Sequence, residues 1–580
     1  MRRLIAPALL LAMPAVAAAP PATEATHGMV VSSQHLASEI GAEILRQGGN
    51  AVDAAVAVGY ALAVVDPCCG NIGGGGFMVL RMADGRERFI NFRETAPLAA
   101  TADMYLGPDG EPVPGASRYG YKAVAVPGTV MGLDRALAEF GTLPRDKLVA
   151  PAIKLAREGF VLTRGDTDRL DWGVEGFVRD RATAAIFLKP GGGRWQPDDR
   201  LIQKDLAATL ERIAQHGPDG FYKGWVAQSV ARAAAAHGGI LTEADFAHYT
   251  VTEGPPLHCR YRGLDILTAA PPSAGGVTLC EMLNVLEGYD LAGMGFHSAA
   301  AIHVMVEAMR HAFLDRNTLL GDPAFVANPV DRLLSRDYAA AIRAAIEPDR
   351  ATPSAGLGPG TPPHEQAETT HYSVVDRAGD AVAVTYTING GFGAGVTAPG
   401  TGFLLNDEMD DFAAKPGRAN MFQLVQGRQD IIAPSKRPLS SMSPTIVLKD
   451  GKPLMVLGSP GGSRIPTIVL ETLVDIVDYG MGPSEAVDAP RFHHQFLPDL
   501  IAVEPFALSP DTAKLLGAMG HTIKIEQPWG AAELIMLPPA KPGTGQRAAG
   551  IDTALSDGMR PGGVYGANDD RRPAGSAVGY

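Results

Sequence analysis

Gln366-Ala367-Glu368-Thr369-Thr370-His371-Tyr372-Ser373-Val374-Val375 is the stretch where the chain changes character. Upstream, residues 348–363 are so rich in proline and glycine that neither a helix nor a central strand survives there, which predicts an exposed, mobile connector. Downstream, Tyr372 to Val375 and residues 381–387 alternate with period two around the turn Arg377-Ala378-Gly379-Asp380, the pattern of a hairpin. Pairing Asp376 with Ala381 sets Thr369 opposite Ile388, beside Thr387 and close to Asn389. A cut before Thr369 places a hydroxyl and a free α-amine on one residue, a nucleophile with its own base. An uncut strand threonine is the ordinary alternative, because threonine is common in strands.

Outward from the hairpin, residues 35–165 alternate helical patterns (38–47, 51–64, 130–140) with strand-like ones (77–81, 88–92). Helical spacing dominates from Leu206 to about Ala345, as at 277–286 and 299–314. After the hairpin come strands at 445–447 and 453–457, a helix at 466–479, and a loose Pro/Gly-rich tail beyond Leu537. The glycines Gly73 to Gly76 lack the Lys-Ser/Thr that completes a phosphate-binding loop, so close backbone packing is expected of them.

The chain has 580 residues, 46% of them hydrophobic, enough for one very large core or two to three ordinary ones. Its formal net charge of -13 argues against a nucleic-acid partner, which requires a basic face. Met1-Arg2-Arg3 leads into an apolar run that ends at Ala17-Ala18-Ala19, the order of a secretory signal peptide over residues 1–19. Pro7 and Pro14 interrupt that run, which is shorter than the roughly 20 residues a spanning helix requires. The mature protein is therefore expected to be exported, periplasmic or secreted. Cys68, Cys69, Cys259 and Cys280 are too few for a disulfide-stapled fold, and the adjacent pair reads as small buried residues. Whether Cys259 and Cys280 pair is open from sequence. His371, His493 and His494 show no carboxylate–metal spacing and read as structural.

Thr369-Thr370-His371-Tyr372-Ser373-Val374-Val375-Asp376, Pro438-Leu439-Ser440-Ser441-Met442-Ser443-Pro444-Thr445 and Gly458-Ser459-Pro460-Gly461-Gly462-Ser463-Arg464 together resemble the γ-glutamyltransferase family. The resemblance extends from Ser38-Glu39-Ile40-Gly41 through Asn91-Phe92-Arg93-Glu94 and Ala489-Pro490-Arg491-Phe492 to Gly579-Tyr580, nearly the whole mature chain. It implies an α+β fold, a four-layer αββα sandwich of the N-terminal-nucleophile hydrolase type. It also implies a precursor that cuts itself between Glu368 and Thr369. The products are a large subunit (20–368) and a small subunit (369–580) that remain together as a heterodimer.

The same resemblance implies roles for particular residues. Thr369 is the nucleophile and Thr387 orients it. Gly461 and Gly462 offer backbone N–H groups to an oxyanion, as glycines before a helix can. Arg93, with Ser440 and Ser441, takes the α-carboxylate of a γ-glutamyl donor, and Asn389, Glu408 and Asp411 take its α-ammonium. Residues 413–424 resemble a lid over that pocket, in which Phe422 stands where some members carry a tyrosine whose hydroxyl holds the lid shut. The implied reaction moves the γ-glutamyl group of glutathione or a related amide to water, or to an amino-acid or peptide amine. It requires no metal or organic cofactor. The rivals are a cephalosporin-type acylase on the same fold and an unprocessed binding protein. An acyl group without an amino-acid head leaves Arg93, Asp411 and Ser440-Ser441 unpaired, which favours the γ-glutamyl reading.

Overall fold

The structure is a computed structural model that describes residues 19–354, 368–539 and 559–580. The leader, save Ala19, and the connector beyond Ser354 lie outside the described residues. Two antiparallel seven-stranded sheets form the centre. One runs Ser576–Gly579, Met29–Ser32, Thr370–Val375, Ala381–Thr387, Gly75–Arg81, Glu87–Phe92, Thr252–Gly254 in spatial order. The other runs Thr23–Ala25, Val564–Asn568, Glu533–Met536, Lys452–Gly458, Thr445–Lys449, Leu264–Thr268, Leu257–Tyr261.

Strand alternation explains the layering. Met78 and Leu80 point to one side of the first sheet and pack with the helix Ala51–Val65, while Phe77 and Val79 point to the other, toward the second sheet. Phe77 and Phe89 stack there with ring centroids 5.6 Å apart, a contact worth about 0.5–1.5 kcal/mol beyond the area it buries. The helices Gly275–Leu286 and Ile465–Val477 cover the outer face of the second sheet, and Ala299–Leu319 packs on Gly275–Leu286. The result is the expected αββα sandwich.

The hairpin differs from its expected register by one residue: Val375 pairs with Ala381 and Thr370 with Tyr386, which brings Thr369 level with Thr387 itself. The cause is Asp376, which belongs to the turn. Its Oδ1 accepts from the amides of Ala378, Gly379 and Asp380, and its Oδ2 from Ala51 N at 2.8 Å. A carboxylate with four amide donors is held in the loop and cannot continue the ladder.

One further expectation holds with an addition, since helices dominate between Leu206 and Ala345, and another is corrected. The segment after Leu206 is interrupted by three strands between Thr252 and Thr268. The tail is not loose at its end, since Val564–Asn568 and Ser576–Gly579 add one strand to each sheet. Both are short pieces whose apolar alternation is too brief to stand out, and pairing with distant strands defines them. The start of the connector is likewise held: Ala351 N donates to Met519 O at 2.8 Å and Ser354 N to Asp499 Oδ2 at 2.7 Å.

Candidate active site

Thr369 is the residue before the strand Thr370–Val375, in the middle of the first sheet, and only 4% exposed. Glycine makes that position possible. A Cβ on Gly74 would sit 1.8 Å from the carbonyl oxygen of Thr387, and one on Gly70 2.6 Å from Thr370 Cγ2. The glycine run is thus the close backbone packing expected of it, and it seats the Thr387 end of the hairpin.

Thr369 Oγ1 donates to the carbonyl oxygen of Glu368 at 2.8 Å, and Thr387 Oγ1 donates to the same oxygen at 3.2 Å. Asn389 N–H donates to Thr387 Oγ1 at 2.8 Å, which leaves that hydroxyl's proton for the carbonyl. Asn389 adopts φ 75°, a left-handed conformation that asparagine tolerates, and this turns its amide back toward Thr387. On the far side, Arg572 pairs with Glu368 Oε2, and Cys69 Sγ lies 3.6 Å from the same oxygen. Cys69 is bonded to Cys68, and both are buried as expected. Cys259 and Cys280 also pair, with Cα atoms 5.9 Å apart.

A small pocket opens beside Thr369, lined by Thr387, Asn389, Arg93, Arg316, Glu408, Asp411, Ser440, Ser441 and Gly462, with Phe422 and Leu424 as its cover. Its open volume is about 20 Å³, room for about one water. The structure therefore gathers every donor-pocket residue named from the sequence. Gly461 lies just outside, lining an adjoining cavity of about 910 Å³ that also holds Glu368, Arg464 and Trp529. Gly461 and Gly462 have φ of 139° and 55°, values that side-chain-bearing residues rarely adopt. They lead into the short turn Gly462–Arg464 and the helix Ile465–Val477, so their amides stand at a helix start.

The charges in the pocket neutralise one another. Arg93 is fully buried, its Nη1 paired with Glu408, its Nη2 with Asp411, and its Nε donating to Pro438 O at 3.2 Å. Burial works against its charge, but Glu408, Asp411 and Glu94 outweigh that and hold its pKa above the ordinary value. Burial pushes Glu408 and Asp411 up against the pull of Arg93, and raises Glu94 to about 7. Glu408 Oε2, Asp411 Oδ1 and both Glu94 oxygens lack hydrogen-bond partners. The expected division of labour is thus closed on itself, with the cation for a carboxylate already paired to the acids for an ammonium.

Sequence reasoning missed Arg316 and Arg572. Arg316 comes from the helix Ala299–Leu319 and donates from Nε and Nη2 to Ser441 Oγ at 3.2 and 2.9 Å. It has no carboxylate partner among the described residues, and burial lowers its pKa to about 10. The signal was an arginine on a buried helix, invisible without knowing which face is covered. His371 is structural, held between Thr385 Oγ1 at 2.8 Å and Ser373 Oγ at 3.1 Å, and burial drops its pKa to about 3.

The segment expected to be a lid is pinned without a tyrosine hydroxyl. Phe422 and Leu424 pack with Phe313, Phe496 and Leu497, Met421 N donates to Asp410 Oδ2 at 2.9 Å, and Gln495 Nε2 donates to Phe422 O at 2.9 Å. Lys415 and Arg418 both pair with Glu111 at 2.8 Å.

Residues 37–573 match the family described as gamma-glutamyltranspeptidase. The chain is 53% identical over 556 residues to a glutathione hydrolase proenzyme of Pseudomonas sp. (strain A14), covering 96% of this chain and 95% of that one. A crystal structure of a cephalosporin acylase from Bacillus halodurans superposes with a TM-score of 0.82 at 26% identity, over 98% of this chain and 99% of the other. A gamma-glutamyltranspeptidase crystal structure from Helicobacter pylori matches with a TM-score of 0.57 at 44% identity, over 97% of its chain but 58% of this one.

Proposed function

The chain belongs to the γ-glutamyltranspeptidase family, and on that premise we propose that it cuts itself before Thr369 and then transfers γ-glutamyl groups through that residue. One observation carries the reading: two hydroxyls, those of Thr369 and Thr387, converge on the Glu368 carbonyl oxygen. Thr369 Oγ1 attacks the carbonyl carbon, the C–N bond breaks, and the Thr369 nitrogen takes up a proton. Water then hydrolyses the resulting ester, releasing the Glu368 carboxylate and a free Thr369 amine. The Helicobacter pylori gamma-glutamyltranspeptidase chain that covers only 58% of this one supports a two-chain product, a large subunit to Glu368 and a small subunit from Thr369, held as a heterodimer.

The new amine titrates near 7.7–8.0, so a useful fraction is neutral at physiological pH and accepts the Thr369 hydroxyl proton. Thr369 Oγ1 then attacks the γ-carbonyl of glutathione or a related amide. The amides of Gly461 and Gly462 receive the oxyanion, the amine leaves with a proton, and a γ-glutamyl ester remains. Water or an amino-acid or peptide amine takes the acyl group and restores the hydroxyl. A γ-glutamyl head carries a carboxylate and an ammonium, and it replaces the internal pairing: its carboxylate meets Arg93, Ser440 and Ser441, while its ammonium meets Asn389, Glu408 and Asp411. A zwitterion exchanged for an internal ion pair leaves no charge unmatched, whereas a glutaryl group brings no cation for the acids.

The leader over residues 1–19 supports export, to the periplasm or beyond the cell. Turnover of a γ-glutamyl anilide against a glutaryl anilide tests the donor. Preference for the glutaryl compound would instead assign the pocket to an acylase like the Bacillus halodurans protein.

A further inference from the structure

A second cluster of reactive side chains lies away from Thr369, on the helix Ala299–Leu319. His303 and Glu307 stand one turn apart and therefore share a face of that helix. His521, from the loop after the helix Pro510–Ala518, meets them, with its Nε2 2.8 Å from His303 Nδ1. All three are buried, and their ligand atoms lie within 4.8 Å of one another.

The hydrogen bonds around the cluster fix which atoms are free. His303 Nε2 lies 2.7 Å from the carbonyl oxygen of Glu347, which can only accept, so the ring proton is on Nε2 and Nδ1 presents a lone pair. Glu307 Oε1 accepts from Arg310 Nε at 3.3 Å and Thr352 N at 3.2 Å, but Oε2 is buried with no partner. With His303 Nδ1 accepting, His521 Nε2 donates the hydrogen bond between the rings, and its proton shifts to His521 Nδ1 when Nε2 ligates; the two imidazole nitrogens and Glu307 Oε2 face each other, and each ligating side chain on the helix is held from behind by a protein group. That is the arrangement of ligands and supporting bonds found around zinc.

We infer that His303 Nδ1, Glu307 Oε2 and His521 Nε2 form a binding site for one divalent transition-metal ion, zinc in the first instance. Tetrahedral zinc with bonds of about 2.0–2.1 Å sets its nitrogen ligands roughly 3.3 Å apart, so the two rings separate by about half an ångström as the ion enters. Arg310 is the nearby charge that opposes a cation, and it is already paired with Asp499 as well as Glu307. His494 faces the same group, but its Nε2 is engaged by Asp499 and its Nδ1 accepts from Phe496 N, so it is not a ligand. The ion takes no part in the Thr369 reaction. It ties the helix that carries Arg316, and through Glu347 and Thr352 the start of the connector, to the His521 loop. Two of its ligands precede Thr369 and one follows, so after a cut it joins both subunits.

The test uses untagged protein, stripped with a chelator and dialysed, as wild type and as Thr369→Ala, so that metal binding is read with and without the cut. Zinc titrated against a chromophoric chelator should bind at one equivalent in both, and cobalt(II) should give the intense visible bands of a tetrahedral site. Glu307→Gln and His521→Gln should each weaken binding at least tenfold and abolish the rise in Tm that zinc gives the wild type, with circular dichroism confirming their fold. Absence of a one-equivalent site and of the cobalt bands in the wild type, or equal affinity in folded variants, overturns the inference. Loss of binding in Thr369→Ala alone overturns a site formed by the uncut fold, whatever the outcome for the cut itself.

Discussion

Thr387 aims its hydroxyl at the carbonyl oxygen of Glu368 from 3.2 Å, across the hairpin from the residue whose own hydroxyl is bound to the same oxygen. A carbonyl polarised by two donors is prepared for negative charge on its oxygen, and one donor of that kind is worth about 10²–10³ in rate.

Thr369→Ala should therefore remain a single chain of full length. Thr387→Val should process about a hundredfold more slowly than wild type, and Thr387→Ser close to normally. Intact mass spectrometry over a time course reads all three, and rapid appearance of a fragment beginning at Thr369 in Thr387→Val would remove Thr387 from the step.

Arg572 pairs with Glu368 Oε2 and so fixes the residue whose carbonyl is attacked. Arg572→Ala and Glu368→Gln should each slow cleavage by about tenfold or more, and the double variant should be no slower than the worse single one, because both remove the same contact. Additive slowing would mean that the two side chains act separately.

Arg93→Ala leaves Glu408, Asp411 and Glu94 buried without their cation. Removing one member of a buried pair costs about 3–5 kcal/mol, which urea unfolding should show. The scissile bond does not touch Arg93, so cleavage should proceed while KM for a γ-glutamyl anilide rises at least tenfold. Unchanged KM would take the carboxylate role from Arg93.

His371 is buried between two hydroxyls and stays neutral down to about pH 3. In the unfolded chain it takes up a proton below about pH 6.5. Between those values the unfolded state holds one more proton, so stability falls as pH falls, by about 1.4 kcal/mol per unit for this group. His371→Gln should lower the slope of unfolding free energy against pH by that amount over pH 4–6. An unchanged slope would show that His371 titrates in the folded protein.

The lid depends on apolar packing at Phe422 and on the pairing of Lys415 and Arg418 with half-exposed Glu111. Phe422→Ala should admit water and larger amines and raise the rate of ester hydrolysis, whereas Phe422→Tyr should change little because the main-chain bond to Gln495 persists. Product ratios with a dipeptide acceptor measure this, and equal ratios in wild type and Phe422→Ala would exclude a lid function.

What the sequence by itself determined was local. Period two on both sides of Arg377-Ala378-Gly379-Asp380 identified the hairpin, Pro348 to Pro363 marked the connector, and the glycine run Gly73 to Gly76 was read as close packing, because each signal depends on neighbouring residues and backbone sterics. Tertiary structure decided the rest. Asp376 is drawn into the turn by an amide from Ala51, more than 300 residues away, and that contact shifts the register by one and sets Thr369 level with Thr387. Arg316 and Arg572 reach the site, and His521 reaches His303, only because distant elements bury their faces together. No periodicity records such meetings, since they follow from which apolar faces exclude water from one another across the whole chain.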